Sequence, residues 1–477
     1  MTEKTSAWAA VGVLAGGLFL AVVSTTVVSV ALPRIGRDLS AGATALEWTV
    51  DAYVLVYASL LVAGGVLGDR RGRKGLFLLG VAVFGLGSLV TGLAPSIGVV
   101  LAGRVVQGLG PALLVPGSLT IIRAVFTDER RRAAAIGLWS MSSGLALAVG
   151  PALGGAVVDG AGWRWVFLLN VPLSAVLLLL ATRYVPRVPR TPPHGPFDRL
   201  GAVLTTAAVA ATAYALIGGQ DHGWSAPVVL SAFGAGALAL AGFAAWERRA
   251  ADPLVDLSLF GRAAFTTANV AALVVFFAFV GAVVYFSAYF QRVQGRSPLA
   301  AGLDVSAIGV AFALAAPLSG RLVGRVGPRT PMLAGLVVSG AAMLGLLRLG
   351  VDTGAGAIWW NLALAGGGVG LCLTPMTAIA VSAVDASRAG MASAVHNAMR
   401  QLGQVLGVAV LGALVYANPA LRHDSGGRLA PSRRPVFVAG LHHALWVSGT
   451  ALLAAAALVA VLLPRPDALR LTKGIKP

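Results

Sequence analysis

The sequence predicts an all-α membrane protein of fourteen transmembrane helices, arranged as two six-helix bundles with two further helices inserted between them. Three observations predict it. Hydrophobic residues make up 57% of the 477 and charged residues only 11%, whereas soluble chains carry roughly a quarter charged residues. The apolar residues fall in runs long enough to cross a hydrocarbon core of roughly 30 Å, which takes about 20 residues of helix. A short charged loop, Gly65-Val66-Leu67-Gly68-Asp69-Arg70-Arg71-Gly72-Arg73-Lys74, also returns half a chain later as Gly320-Arg321-Leu322-Val323-Gly324-Arg325-Val326-Gly327-Pro328-Arg329. Glycines at 65/320 and 72/327, leucines at 67/322 and arginines at 70/325 stay in register. A polar loop repeated once per half points to a duplicated membrane bundle, the usual architecture of secondary transporters.

The N-terminal bundle, residues 1–184, contains runs at 8–32, 46–67, 76–95, 97–122, 133–158 and 164–183. The first is too long for a signal-peptide core and lacks a small-x-small cleavage site, so it counts as a span. The second ends in the charged loop, whose Gly65, Gly68 and Gly72 permit a tight turn and close helix approach. Asp69 is placed there to accept from a facing helix N-terminus or a nearby arginine, which would latch that side of the bundle. The bland reading of the loop is a topology signal, which requires neither an anion nor three glycines. The fifth run holds Gly144, Gly150, Pro151, Gly154 and Gly155. Pro151 removes a backbone donor, while Gly150 and Gly154, four apart, offer a flat face for close packing.

Residues 185–199 form a linker that cannot be helical, because Pro and Arg dominate Val185-Pro-Arg-Val-Pro-Arg-Thr-Pro-Pro-His-Gly-Pro196. Residues 200–262 hold the two inserted helices, at 200–219 and 226–246, and a second connection. The C-terminal bundle, residues 263–477, has runs at 264–290, 299–320, 330–349, 355–382, 389–415 and 441–463. In its copy of the charged loop Gly324 stands where the first has Asp69, so any latch there is weaker.

Most of the 36 Lys and Arg fall on one side if both termini are cytoplasmic, which places the charged loop and the linker in the cytoplasm of a plasma-membrane protein. The loop at 416–440, with Arg422, Arg428, Arg433 and Arg434, runs against that bias. The net charge of +18 is therefore a topology signal and no grip for nucleic acid. One cysteine, Cys372, excludes an intrachain disulfide, and the cysteine and six histidines show no metal-ligand spacing. No G-x-x-x-x-G-K-[ST] loop appears, and no nucleophile–base constellation. An enzyme is not expected, nor a bound cofactor.

Charged residues inside a membrane are costly and need an account. Asp51 and Arg104 fall at similar depth in their spans, with Gln107 on the face of Arg104. Two readings stand: a coupled pair in which protonating Asp51 frees Arg104, and a static ion pair that fixes packing. In the second half His396, Arg400 and Gln404 recur at spacing four with Asn397 beside them. This polar stripe is expected to line a substrate path, together with Ser24 and Gln107. Asp304 is the membrane acid of that half expected to partner Arg400.

Taken together, the chain resembles the fourteen-helix drug:proton antiporters of the major facilitator superfamily over nearly its whole length. Six passages carry the resemblance: Thr26-Val-Val-Ser-Val-Ala-Leu-Pro33; Gly65–Lys74; Arg104-Val-Val-Gln-Gly-Leu-Gly110; Gly144–Gly155; Gly162-Trp-Arg-Trp-Val-Phe-Leu-Leu-Asn-Val-Pro172; and Arg400-Gln-Leu-Gly-Gln-Val-Leu-Gly407. The resemblance implies that Gly65, Gly68, Asp69, Arg70, Gly72 and Arg73 form a cytoplasmic gate, and that the 144–155 passage marks an exporter. It also exposes a departure. Such antiporters typically carry Asp where this chain has Ser24, and Asn where it has Ser29. Either Asp51 carries proton coupling alone, or the stoichiometry is reduced, or substrate moves without tight coupling.

The expectation is a monomeric, proton-driven exporter of amphipathic small molecules such as antibiotics, working by alternating access. A proton entering down a membrane potential gains about 2.3 kcal/mol per 100 mV, enough for a large concentration ratio. Two rivals are an importer of a small metabolite on the same fold and a non-transporting membrane sensor.

Overall fold

The computed structural model describes residues 3–126, 128–188, 198–250, 253, 255–384, 389–422 and 427–463. It is helical throughout. The first half holds α1 (Glu3–Asp38), α2 (Ala43–Arg71), α3 (Arg73–Gly92), α4 (Ile97–Val125), α5 (Glu129–Ala161), α6 (Trp163–Leu168) and α7 (Asn170–Tyr184). Then come α8 (Arg199–His222) and α9 (Pro227–Glu247). The second half holds α10 (Ala263–Ala288), α11 (Pro298–Val326), α12 (Arg329–Gly345), α13 (Ala355–Ser382), α14 (Ala389–Val415), the short α15 (Pro419–Arg422) and α16 (Arg434–Leu462).

Among the described residues, 12 helical segments are long and apolar enough to cross a membrane, with α6 and α7 acting as one. That is short of the fourteen expected. The two expected spans outside the set are α2 and α5, of 29 and 33 residues. Both contain side chains outside the described residues, and within α5 the described apolar stretch is Ala148–Ala161.

The duplication is visible in the packing. In the first half α1 packs on α5, α2 on α4, α3 on α4, and α3 on α7; in the second α10 packs on α14, α11 on α13, α12 on α13, and α12 on α16. The repeated loop turns the same way in both copies. Gly72 (φ 104°) ends α2 and Gly327 (φ 78°) ends α11, each donating its N–H four residues back, to Gly68 and Val323. Positive φ is where glycine has no Cβ penalty, so these two glycines are fixed by backbone geometry. The face of the bundle that carries these turns is called the loop face below.

The halves meet chiefly at three helix pairs: α1 with α10, α2 with α14, and α5 with α11. Away from the loop face the first and third of these are stitched by hydrogen bonds. Ser287 Oγ donates to the Ser29 carbonyl at 3.2 Å, Gln291 Nε2 to the Val30 carbonyl at 3.1 Å, and the Leu299 N–H to Asp159 Oδ2 at 2.8 Å. The inserted α8 and α9 pack on each other, and α8 lies across the α2–α14 seam. The cationic loop that breaks the charge bias folds back over the end of α10, where the Leu429 N–H donates to the Arg292 carbonyl at 2.8 Å. Arg434 Nε donates to the Leu429 carbonyl at 3.1 Å, so a cation here holds loop backbone.

Candidate functional site

Between the halves lies a cavity of about 180 Å³. Its upper wall comes from the middle of α1 (Thr25, Thr26), α2 (Tyr57) and α10 (Phe276). The loop-ward halves of α4, α5, α13 and α14 supply most of the rest, including Trp139, Thr377 and the polar group Asn397, Arg400, Gln401 and Gln404. Three of the four residues expected on the α14 stripe therefore do line it. Arg400 stacks its guanidinium 4.3 Å over the Phe276 ring and donates from Nη1 to Asn397 Oδ1 at 3.3 Å, while its Nε has no hydrogen-bond partner. Gln404 Nε2 donates to Gln401 Oε1. Tyr57 stands across the cleft beside Gln401 and Arg400. Arg400 is the one charged side chain among the described lining residues.

His396 does not line this cavity. It is buried between helices, with Nε2 3.2 Å from Thr377 Oγ1 and Nδ1 3.3 Å from Asn269 Oδ1, and so ties α14 to α13 and α10. Asp304 is not the partner of Arg400 either. Its Oδ2 lies 2.9 Å from Arg296 Nη1, at the end of α11 away from the loop face. Within the first two turns of α11, Asp304 meets the cation that the preceding loop supplies, whereas Arg400 lies mid-span on α14.

Arg104 sits wholly inside the first half. Its Nε donates to the Thr49 carbonyl at 2.7 Å, its Nη1 to Gln107 Oε1 at 2.8 Å and to Ser24 Oγ at 3.2 Å, and its guanidinium lies 4.3 Å over the Tyr53 ring. Gln107 Nε2 donates to Ser24 Oγ at 3.1 Å and to Ser88 Oγ at 2.8 Å. Ser24 and Gln107 thus belong to this internal network and not to the cavity lining. The expected Asp51–Arg104 pair is not formed. Helical geometry says why: at about 100° per residue, Asp51 is about 200° round α2 from both Thr49 and Tyr53, which face Arg104.

Asp51 faces the second half instead. It is fully buried, and neither carboxylate oxygen has a hydrogen-bond partner. One turn earlier on the same face is Glu47, 3% exposed. A Cβ on Gly412 of α14 would collide with both Glu47 Oε1 and the Tyr285 hydroxyl, so the Glu47 carboxyl is seated against α14 and α10. Tyr285 in turn donates to the Val408 carbonyl at 2.6 Å. Glu47 is absent from the sequence-derived site. Its signal was available, four residues before Asp51, but a span starting at residue 46 leaves it on the rim.

At the loop face, a Cβ on Gly65 would stand 3.3 Å from Pro116 of α4, whereas one on Gly68 would meet only ordinary contacts at 3.8 Å with Arg73 and Leu76. Gly72 is the glycine the turn requires. Arg73 lies along α4 near Gly117. The side chains of Asp69 and Arg70 lie outside the described residues. In α5 the glycine–proline passage serves two faces. Gly150 and Gly154 seat Thr26 and Val27 of α1, while Gly155 seats Pro298 and Leu299, and the Pro151 carbonyl lies in the space that Gly302 leaves open. Gly144 sits more loosely, its would-be Cβ 3.7 Å from Phe312. The second half repeats the first device: Gly403 and Gly407 seat the Leu273 and Phe277 backbone of α10.

The description Major Facilitator Superfamily matches residues 14–408. The chain is 39% identical over 403 residues to the multidrug resistance protein Stp of Mycobacterium tuberculosis, covering 84% of this chain and 74% of that one. It is 35% identical over 419 residues to the methylenomycin A resistance protein of Streptomyces coelicolor, covering 86% of each. It is 33% identical over 419 residues to the tetracenomycin C resistance and export protein of Streptomyces glaucescens, covering 86% and 76%. Among solved structures, a bacterial homologue of the lysosomal transporter Spinster, inward-facing and unoccupied, superposes with TM-score 0.66 at 19% identity over 96% of both chains. A POT family transporter in complex with 5-aminolevulinic acid gives TM-score 0.70 at 16% identity over 94% and 95%. The chain belongs to the Major Facilitator Superfamily, and its relatives are drug and antibiotic efflux proteins.

Proposed function

As a member of that superfamily this chain is, we propose, a proton-driven exporter of amphipathic small molecules, an antiporter of the fourteen-helix type once α2 and α5 are counted as spans. Residues 1–184 and 263–477 are the two moving halves, and 185–262 carry the linker and inserted helices. The loop face is cytoplasmic, as are both termini, and the protein acts as a monomer in the plasma membrane. The observation that carries the reading is the cavity between the halves, where the amphipathic wall of Phe276, Tyr57 and Trp139 meets the polar group Asn397, Arg400, Gln401 and Gln404.

An aromatic-rich wall with a few polar groups suits molecules that are mostly apolar with one or two hydrogen-bonding groups. A lone guanidinium in the lining favours neutral or anionic molecules and disfavours dications. The relatives' names, which include methylenomycin A and tetracenomycin C resistance, agree with an antibiotic cargo. For the ion, we place the proton on the Asp51–Glu47 face at the junction of α2, α10 and α14. A buried carboxyl that switches between sides as the halves rock can carry a proton inward while cargo moves outward. No bound cofactor enters this cycle.

The test is drug-susceptibility profiling of an exporter-deleted host expressing the chain, followed by flux in everted and right-side-out vesicles. Cargo accumulation in everted vesicles that a protonophore abolishes is expected. Accumulation only in right-side-out vesicles would make the protein an importer, and no flux in either would leave a sensor.

A further inference from the structure

On the far side of the α2–α14 seam lies a second cavity, of about 260 Å³. It is walled by α8, α9, the 255–260 segment and the outer faces of α2 and α14. The same turns of α14 separate the two spaces. Asn397, Arg400, Gln401 and Gln404 face the central cavity, while Ala398, Met399 and Leu402 face this one. The character of the two walls is opposite, since the side cavity is lined by groups such as Leu240, Phe243, Phe260 and Met399.

Two side-chain hydroxyls reach it. Thr205 Oγ1 is already used, donating to the Gly201 carbonyl at 2.8 Å. Ser59 is 6% exposed and its Oγ has no hydrogen-bond partner. A helical hydroxyl ordinarily bonds back to its own helix, as Thr49 does to the Ala45 carbonyl at 2.9 Å on the same α2. A buried hydroxyl left unmade is unfavourable and calls for a partner. Water is a poor one here, because an ordered water needs two to four polar groups and the lining side chains offer only the Ser59 hydroxyl and the acceptor side of Thr205. A lipid acyl chain would fill the volume but leave the hydroxyl unmet.

We propose that this cavity is a second ligand site, which takes a lipophilic small molecule bearing a single hydrogen-bond acceptor placed against Ser59. The site rests on its own geometry and not on the direction or coupling of transport. Such a molecule reaches it from the bilayer and wedges behind the two helices that join the halves across the seam.

Benzophenone is a suitable probe: lipophilic, with one ketone, and photoreactive toward C–H bonds. The full-length protein in phosphatidylcholine nanodiscs is irradiated with increasing benzophenone and the adducts are mapped by peptide mass spectrometry. Saturable labelling at Met399 and on α2 around Ser59 is expected. Ser59→Ala should raise the half-saturating concentration about fivefold, the loss of one hydrogen bond, and Ala244→Trp, which fills the space, should abolish labelling there. Thr205→Val, whose hydroxyl is already satisfied within its helix, should leave saturation unchanged. Labelling of Met399 that is not saturable, or is unchanged in Ser59→Ala, would mean that the pocket holds acyl chains only and would overturn the proposal. The Ser59→Ala change is small enough to keep the fold if Ala244→Trp does not.

Discussion

Arg104 donates from Nη1 to the Ser24 hydroxyl at 3.2 Å, at the position where the antiporters this chain resembles carry an aspartate. A buried guanidinium is thereby held by a carbonyl, an amide, a hydroxyl and an aromatic ring, with its Nη2 left without a partner. Among the described residues no carboxylate is paired with it. A buried cation gains more from a paired carboxylate than from neutral acceptors, provided the geometry already exists. Ser24→Asp should therefore create an ion pair with Arg104 and raise the melting temperature in detergent. The shift to expect is about 1 °C for each kcal/mol gained, because the unfolding entropy scales with chain length. A fall in melting temperature would show that the cluster is packed for a neutral residue.

The carboxyls that do face the other half are Asp51 and Glu47. If they carry the proton, Asp51→Asn should abolish cargo accumulation driven by a pH gradient while leaving downhill exchange of cargo intact. Glu47→Gln should weaken the driven flux without abolishing exchange. The sign with pH follows from the direction of the cycle. Protons load from outside, so raising external pH at constant internal pH slows export by the wild type. Flux in Asp51→Asn should be flat over the same range. Measured in right-side-out vesicles loaded with cargo, a wild-type slope retained in Asp51→Asn would remove this face from the coupling.

How much of this was legible in the sequence divides along a physical line. Apolar run length and the repeated turn are local properties, and both Gly72 and Gly327 turn as their register predicts. The Asn397–Arg400–Gln404 stripe was legible too, because a polar face on an apolar helix has few places to go. Depth, however, is not direction. Asp51 and Arg104 are expected at similar depth, yet Asp51 lies on the side of α2 turned from Arg104, and only the folded contacts of Arg104 with Thr49 and Tyr53 show which side that is. His396 lies in register with Arg400 by spacing, but tertiary partners on α10 and α13 claim it. Glu47 depended on where a helix begins, the least certain boundary to read from hydropathy.

Arg400 tests the cargo site. Its guanidinium lies flat on Phe276, and only a planar cation keeps that contact while reaching Asn397. Arg400→Ala should lower transport efficiency for a neutral or anionic drug about tenfold or more, equivalent to roughly 1.4 kcal/mol. Arg400→Lys should rescue little, because it restores the charge without the stacked plane. Full rescue by lysine would mean that charge alone matters and that Phe276 is a bystander.

Gly155 tests the closure away from the loop face. A Cβ there would come within 2.5 Å of Leu299 Cα, backbone against backbone, so neither side can yield by rotating a side chain. Gly155→Ala should therefore cost the closed arrangement about 1–3 kcal/mol through overpacking. That cost falls on one conformation only, since the α5–α11 contact must open for cargo to leave on that side. The expected result is a folded protein with the cavity shifted toward exposure on the face opposite the loops. It would be read as faster modification, by a membrane-impermeant thiol reagent, of a cysteine placed at Thr26 beside the central cavity. Gly144→Ala is the control, because its would-be Cβ lies an ordinary 3.7 Å from Phe312. If both variants were modified at the wild-type rate, the α5–α11 contact would be ordinary packing and not a closure that must open.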